Sequence, residues 1–516
     1  MKKNYVFLLL LLAIFSCQKE VTKQTNYLGP VVPILKTNQA ESDTIAHAFN
    51  LAIGHIYSNV RPYKENDTTA EIPTLFAGME YYGPWTRDAS INIYNGGGLL
   101  LPEISKNTLL SELTRDANGT LRIKGQYWDS PLWIIAAWQY YLYTGDKPFL
   151  KTALDVSMNH LKQLEESEFD SEKGLFRGAS FFNDGISGYP DVYAKTGTYH
   201  GGEWVSGITK WVEENPSLKA KKGFGLPMMC LSTNCIYYKA YTLLDSIAKT
   251  VGTDISDFKV SDKSIKLKEN INKHLWSDSL GRYRYFIDPF GGCDYQESAG
   301  LAMAVLFGVA NEKQAELVFK NIHVEPAGLP CIYPSFPRYV NKEKTTYGRH
   351  SGVIWLQVVG YFALAAKSYN KTDLFYHEYH HMAHNALRDM QFLEIYHPLT
   401  GQPYGGVQES NPNGEITLWK STEVQTWSAT AYMSMTMRGM FGMEFTSNGL
   451  VFSPMVDQVY ENLRLINIPY RAMILDVYIT GKGSNVAKFE VNGEIRKAPF
   501  VNANETGRKL IKITLN

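Results

Sequence analysis

The feature that most constrains this chain is a recurrence. From about Asp43 to Phe441, long segments with apolar residues at helical spacing alternate with short connectors rich in Gly, Pro and aromatics. Leu132 to Tyr143, Ser232 to Thr250, Ser298 to Val309 and Ile354 to Ser368 carry that spacing. Partner segments stand beside them, such as Lys151 to Glu165 after the turn Thr144-Gly145-Asp146. A helix does not leave an apolar face in water, so about 400 residues of helix pairs must pack on one another. The pattern predicts a mainly α domain built as a toroid. No Gly-x-Gly-x-x-Gly or P-loop follows a strand, and no short solenoid-type repeat is present.

Beyond Phe441 the period changes. Gly449 to Phe452, Arg471 to Ile479, Lys488 to Val491 and Leu510 to Leu515 cluster β-formers between Gly and Asn turns. This divides the chain into a helical barrel over 43–444 and a small β-domain over 445–516. At the other end, Lys2 and Lys3 precede the apolar run Val6 to Phe15, too short to span a bilayer as a mature helix. The run closes on Ser16-Cys17 and resembles a bacterial lipobox, with Cys17 as the lipidated residue. Residues 1–17 therefore read as a lipoprotein signal peptide and 18–42 as a polar tether. The expected location is the cell envelope, with the membrane reached only through the lipid anchor. Cys230, Cys235, Cys293 and Cys331 fit no zinc spacing and read as buried thiols or one or two optional disulfides. Lys and Arg total 51 and Asp and Glu total 51, a balance that argues against a nucleic-acid partner.

One stretch joins aromatics to an adjacent cation and anion: Tyr81-Tyr82-Gly83-Pro84-Trp85-Thr86-Arg87-Asp88. Aromatic rings lie against the apolar face of a pyranose, and Arg and Asp make directional bonds to its hydroxyls. The alternative is an aromatic turn followed by a capping ion pair. Trp85-Thr86-Arg87-Asp88-Ala89-Ser90 resembles the Trp-Thr-Arg-Asp-Ser-Ala stretch of family 15 glucoamylases. Gln126 to Pro131, Trp276 to Asp278, Gly281 to Tyr283, Gly348 to Trp355 and Gln425 to Ala429 resemble later connectors of the same six-hairpin glycosidases, which include family 63 and the trehalases. The likeness implies an (α/α)6 toroid and an inverting, exo-acting glycoside hydrolase, with α-glucosides as the expected substrates. By the same likeness Arg87 and Asp88 hold the terminal sugar, and Trp85, Trp128 and Asp129 line its site. An oligosaccharide or polysaccharide is the partner, and neither cofactor nor metal is required.

Inversion needs a protonated carboxyl for the leaving oxygen and an ionised one to activate water. Glu409 in Gly405-Gly406-Val407-Gln408-Glu409 is the expected base, because the resembling enzymes place a Glu in a Gly/aromatic loop shortly before their Thr-Trp-Ser helix. Glu423 is the alternative, and equally suits the acidic first turn of that helix. The expected acid is Asp184, between Phe182 and Tyr189, where apolar surroundings favour the protonated form; Asp191 is next. Here the chain departs from both the Ser-Gly-x-Asp pattern of family 63 and the Glu of glucoamylases. Two rivals remain, a phosphorylase of the same fold and a non-catalytic glycan-binding lipoprotein. His377-Glu378-Tyr379-His380-His381 matches the zinc-protease pattern HExxH, but reads as a His-rich face of an outer helix.

Overall fold

The computed structural model describes residues 31–37, 43–64, 70–194, 207–411 and 414–516. Cys17 and the expected signal peptide lie outside these residues, as does most of the expected tether. No helix among the described residues is long and apolar enough to cross a membrane.

Two rings of helices form the barrel. The inner ring runs Thr86–Asn92, Leu132–Thr144, Leu231–Val251, Ser298–Leu306, Leu356–Ser368 and Thr426–Ser434, each packed on the next and the last closing on the first. These helices are apolar on nearly every side because both faces are covered: Leu132–Thr144 buries all but two of its residues. Small residues let them approach closely. A Cβ on Gly360 would lie 2.8 Å from the Cβ of Ala431 on the neighbouring inner helix. The outer ring is Asp43–Ser58, Pro102–Ser111, Lys147–Glu168, Val260–Leu275, Glu312–Asn321 and Thr372–Asp389. Its members are amphipathic, as in Glu312–Asn321, which buries Ala315, Val318 and Phe319 at spacings of three and one.

The connectors follow local rules. The inner helix ending at Thr144 is closed by Gly145 at φ 77°, and Asp146 then accepts from Phe149 N at 2.9 Å to cap the next helix. Chain ends close the ring: Thr426 N donates to Ala77 O at 2.9 Å, and Asn59 Nδ2 donates to Val424 O and Thr426 Oγ1, both at 2.8 Å.

The strand-rich tail packs beneath the C-terminal end of the inner helix Leu132–Thr144. Arg471 donates from its backbone N to Tyr143 O at 3.3 Å, and Tyr143 meets Phe445 edge to face at 4.7 Å. Its larger sheet runs Ile34–Thr37, Asn462–Tyr470, Met473–Thr480, Gly507–Leu515, Val486–Val491 and Glu494–Ile495. All neighbours are antiparallel except Met473–Thr480 with Gly507–Leu515. Two boundaries shift from the sequence reading. Residues 34–37, assigned to the tether, form the edge strand, pairing Leu35 with Leu465. The strands also start before 445, at Met443–Phe445, which pairs with Gly449–Phe452. The four cysteines within the fold are free and buried.

Candidate active site

Inner helices point their N-terminal ends at one cavity of about 540 Å³. Thr86, Arg87 and Asp88 enter it from the first turn of their helix, Asp129 from just before Leu132, Trp355 from just before Leu356, and Trp427 from the first turn of the last inner helix. Converging helix N-termini favour negative charge, and four carboxylates line the cavity: Asp88, Asp129, Asp184 and Glu394.

They form two hydrogen-bonded groups. Arg87 is the hub of the first, donating from Nε to Asp129, from Nη2 to the Gln126 side-chain oxygen, and to Asp184 Oδ2 at 3.3 and 3.4 Å. Gln126 Nε2 also donates to Asp184 Oδ2, at 3.1 Å. Burial opposes the Arg87 charge, but Asp129 and Asp184 outweigh it and raise its pKa, so the guanidinium stays charged. Burial pushes Asp129 up, with Arg87 pulling back.

The second group centres on Glu394, which is 1% exposed. Its Oε1 accepts from Tyr81 Oη at 2.6 Å, and its Oε2 from Arg349 Nη2 at 2.8 Å and Thr422 Oγ1 at 3.0 Å. No hydrogen-bond partner is shared with the Asp184 group among these contacts. Asp88 stands between the groups: burial holds its carboxyl well above the usual range, Arg87 lowers it, and Glu394 and Asp129 raise it again. Aromatics complete the wall. Arg349 lies over Trp355 at 5.4 Å and Trp419 at 5.5 Å, and Trp355 meets Trp427 edge-on at 5.8 Å. Trp85 stands 58% exposed at φ 55° and ψ 131°, a backbone conformation uncommon for a bulky residue.

Of the residues expected from sequence, Trp85, Arg87, Asp88, Asp129 and Asp184 come together in this cavity. Four others lie elsewhere. Trp128 is 1% exposed and packs edge-on against Tyr127 at 5.2 Å, so it belongs to the core and not to a sugar platform. Glu409 sits in the strand Val407–Glu409, where alternate side chains take opposite faces. Gln408 turns to the cavity, and Glu409 turns away to accept from Tyr339 Oη at 2.7 and 2.9 Å, with Arg338 Nε at 3.6 Å. Asp191 is an outward ion-pair partner of Arg338 at 2.8 Å. Glu423 is paired with Lys420 at 3.0 Å on the surface. Sequence reasoning overlooked Glu394 and left Arg349, His350 and Trp355 without a role; Glu394 inside the apolar run Phe392 to Tyr396 was the available signal, because a buried carboxylate demands partners.

The helix Thr372–Asp389 is an outer one. Glu378 turns inward to accept from Leu329 N at 3.2 Å, while His380 pairs with Tyr460 Oη at 2.8 Å. Among the described residues, no three His, Cys, Asp or Glu side chains are grouped as a metal site.

Solved structures share the fold. A sialidase superposes with TM-score 0.63 at 14% identity, covering 90% of this chain and 40% of its own. The GH78 rhamnosidase of Bacillus sp. GL1 gives 0.55 at 13%, covering 94% and 44%. The GH63 mannosylglycerate hydrolase from Thermus thermophilus, in complex with glucose, gives 0.56 at 15%, covering 75% of this chain and 100% of its own. The chain thus spans less than half the length of the first two. No curated protein sequence matches it significantly. The mannosylglycerate hydrolase MGH1-like glycoside hydrolase domain matches residues 46–428, well over half of the chain. The chain belongs to that family of glycoside hydrolases.

Proposed function

We propose that this protein is an inverting, exo-acting glycosidase that removes a terminal α-linked sugar, with Asp184 as general acid and Glu394 as general base. The observation that carries the reading is the pair of separate carboxylate groups on one cavity. Asp184 is backed by Arg87 and Gln126, Glu394 by Tyr81, Arg349 and Thr422. Inversion asks for that division, since acid and base work from opposite faces of the scissile bond at roughly 6.5–9.5 Å, with a water beside the base. Arg349, Tyr81 and Thr422 fix the Glu394 carboxylate in place, so a water held against it is oriented before the sugar arrives. Arg87 and Asp88 supply directional partners for ring hydroxyls, and Trp85, Trp355, Trp419 and Trp427 supply the apolar walls. Glu394 replaces Glu409 in this reading because only Glu394 borders the cavity.

The substrates we propose are α-glucosides first, as the glucoamylase-like Trp-Thr-Arg-Asp stretch suggests, and α-mannosides second, in view of the family's mannosylglycerate hydrolases. We place the enzyme at the cell envelope through lipidation of Cys17, for which the N-terminal motif is the support. Proton NMR of fresh product from maltose, trehalose, 4-nitrophenyl α-glucoside and 4-nitrophenyl α-mannoside tests the reaction. The expected first product is the β-anomer; retention, or turnover only with added phosphate, overturns it. Labelled palmitate should enter the wild type and not Cys17→Ala.

A further inference from the structure

The two oxygens of Asp184 have different surroundings. Oδ2 receives Arg87 at 3.3 and 3.4 Å and Gln126 at 3.1 Å. Oδ1 faces His350 Nε2, at 3.6 Å. A carboxylic acid keeps its proton on the oxygen not already surrounded by donors, so a protonated Asp184 carries it on Oδ1, toward His350.

What His350 offers there depends on its tautomer. The ring is 3% exposed and its pKa is lowered to about 3 by burial, with Asp184 opposing and Arg349 and Arg87 reinforcing, so the imidazole is neutral and has one proton. On its far side Nδ1 lies 3.0 Å from Ser187 Oγ. That hydroxyl also accepts from the His350 backbone N–H at 3.1 Å and directs its hydrogen to Gln408 Oε1 at 3.3 Å. The Gln408 oxygen is buried with Ser187 as its one donor among the described contacts, so giving the Ser187 proton to Nδ1 instead would leave that oxygen unpaired. Ser187 Oγ can then only accept from Nδ1. The imidazole proton sits on Nδ1, and the Nε2 lone pair faces Asp184.

The parts are held tightly. His350 stacks on Trp355 at 5.2 Å and 19°. Ser187 and Gln408 are fully buried. A Cβ on Gly185 would lie 2.6 Å from His350 Nδ1 and 3.1 Å from Gln408 Oε1, so the turn carrying Asp184 closes onto this group only with glycine there.

We propose that Gln408, Ser187 and His350 form a positioning relay that fixes the Nδ1–H tautomer, so that the His350 Nε2 lone pair faces the proton-bearing oxygen of Asp184 at 3.6 Å and helps the acid hold its proton between turnovers. This rests on Asp184 being the acid. The charged groups facing Asp184 are Arg87, with Asp129 behind it; those facing His350 are Arg349 and Arg87. When substrate enters, the Oδ1–H turns to the glycosidic oxygen and its proton passes there as the C–O bond breaks. The carboxylate left behind takes its next proton from solvent.

The test combines spectroscopy with a pH profile. Wild-type protein with 15N-labelled histidine should give, for the His350 signal assigned by its loss in His350→Leu, a protonated Nδ1 and a bare Nε2 at neutral pH; the reverse tautomer overturns the proposal. With maltose as probe, His350→Leu should move the alkaline limb of kcat/KM to lower pH by about half to one unit, the worth of one hydrogen bond. A limb that stays or moves up overturns it. Should the leucine variant not fold, Ser187→Ala frees the tautomer and should shift the limb the same way. Asp184→Asn separates the two readings: persisting maltose hydrolysis sinks the acid assignment, whereas its loss together with an unmoved His350→Leu limb sinks the relay alone.

Discussion

Glu394 is 1% exposed and Glu409 3% exposed, and both carboxylates are held by a tyrosine hydroxyl and approached by an arginine, yet only the first borders the cavity. Burial and pairing therefore do not by themselves mark a reacting carboxylate. What the side chain faces decides. Glu409 ties the strand Val407–Glu409 to Tyr339 and Arg338, and so belongs to the scaffold. Glu297 is another such case, pushed up to about 8 by burial and bonded to Ser232 N at 3.2 Å between two inner helices. Cavity carboxylates should answer in rate when altered, scaffold carboxylates in stability.

The largest separation is expected between the two glutamates. Glu394→Gln should lower kcat by about 10²- to 10⁴-fold, the usual worth of a positioned general base, with thermal unfolding little changed. Glu409→Gln should leave kcat/KM within about threefold and cost about 1–3 kcal/mol of stability, because Tyr339 and Arg338 lose a charged acceptor. Initial rates and melting curves on both variants decide it. An inactive Glu409→Gln beside an active Glu394→Gln would reverse the comparison and restore the spacing argument made from sequence.

The tryptophans pose the same contrast. Trp128 is buried at 1% exposure next to the cavity residue Asp129, while Trp427 and Trp355 line the cavity. Trp128→Ala should cost about 3–5 kcal/mol by opening a void in the core, with kcat per folded molecule retained. Denaturant melts with active-fraction correction check this. A Trp128→Ala protein that melts normally but has lost substrate affinity would put the residue back among the sugar contacts.

Those cases mark what could be read from sequence. Inner helices were legible because residues such as those of Leu356–Ser368 are apolar on all sides, and only a helix covered by two layers has that composition. Trp85 to Asp88 was legible because it sets aromatics beside an Arg-Asp pair and resembles the Trp-Thr-Arg-Asp stretch of glucoamylases. The strand Ile34–Thr37 was hidden because its partner, Asn462–Tyr470, lies more than 400 positions away and nothing local fixes that pairing. Glu394 was hidden by an intervening hairpin. The hairpin Val407–Glu409 with Ile416–Leu418 separates it from Trp427, so counting back from the last inner helix lands on Glu409. Its partner Arg349 is 45 positions away, a contact only the fold supplies.

A smaller effect tests the scaffold just behind Asp129. Ser130 Oγ lies 2.7 Å from His160 Nε2, and burial lowers His160 from 6.5 to about 3. Above pH 6.5 both folded and unfolded chains hold this imidazole neutral, so it contributes no pH dependence. As pH falls below 6.5 the unfolded chain takes a proton that the folded one refuses until about pH 3, and stability is lost across that window. His160→Gln should remove about 2 kcal/mol of the loss between pH 6.5 and 5, while the pH profile of kcat stays in place. Urea melts across that range measure it. A shifted kcat profile would mean that His160 communicates with the carboxylates and is not scaffold alone.

The smallest expected change is at the rim, where function and conformation pull in opposite directions. Trp85 precedes the helix Thr86–Asn92 at φ 55° and ψ 131°, a conformation that costs a side-chain-bearing residue about 1–3 kcal/mol and glycine less. At 58% exposure it returns little of that through packing. The strain is reasonable if the indole is held out as a platform for sugar. Trp85→Gly should raise KM about tenfold, roughly 1.4 kcal/mol of binding, and the melting temperature should not fall. Steady-state kinetics with a melting curve on one preparation suffices. If the melting temperature drops while KM is unmoved, Trp85 is a structural cap, and the aromatic side of the cavity ends at Trp355, Trp419 and Trp427.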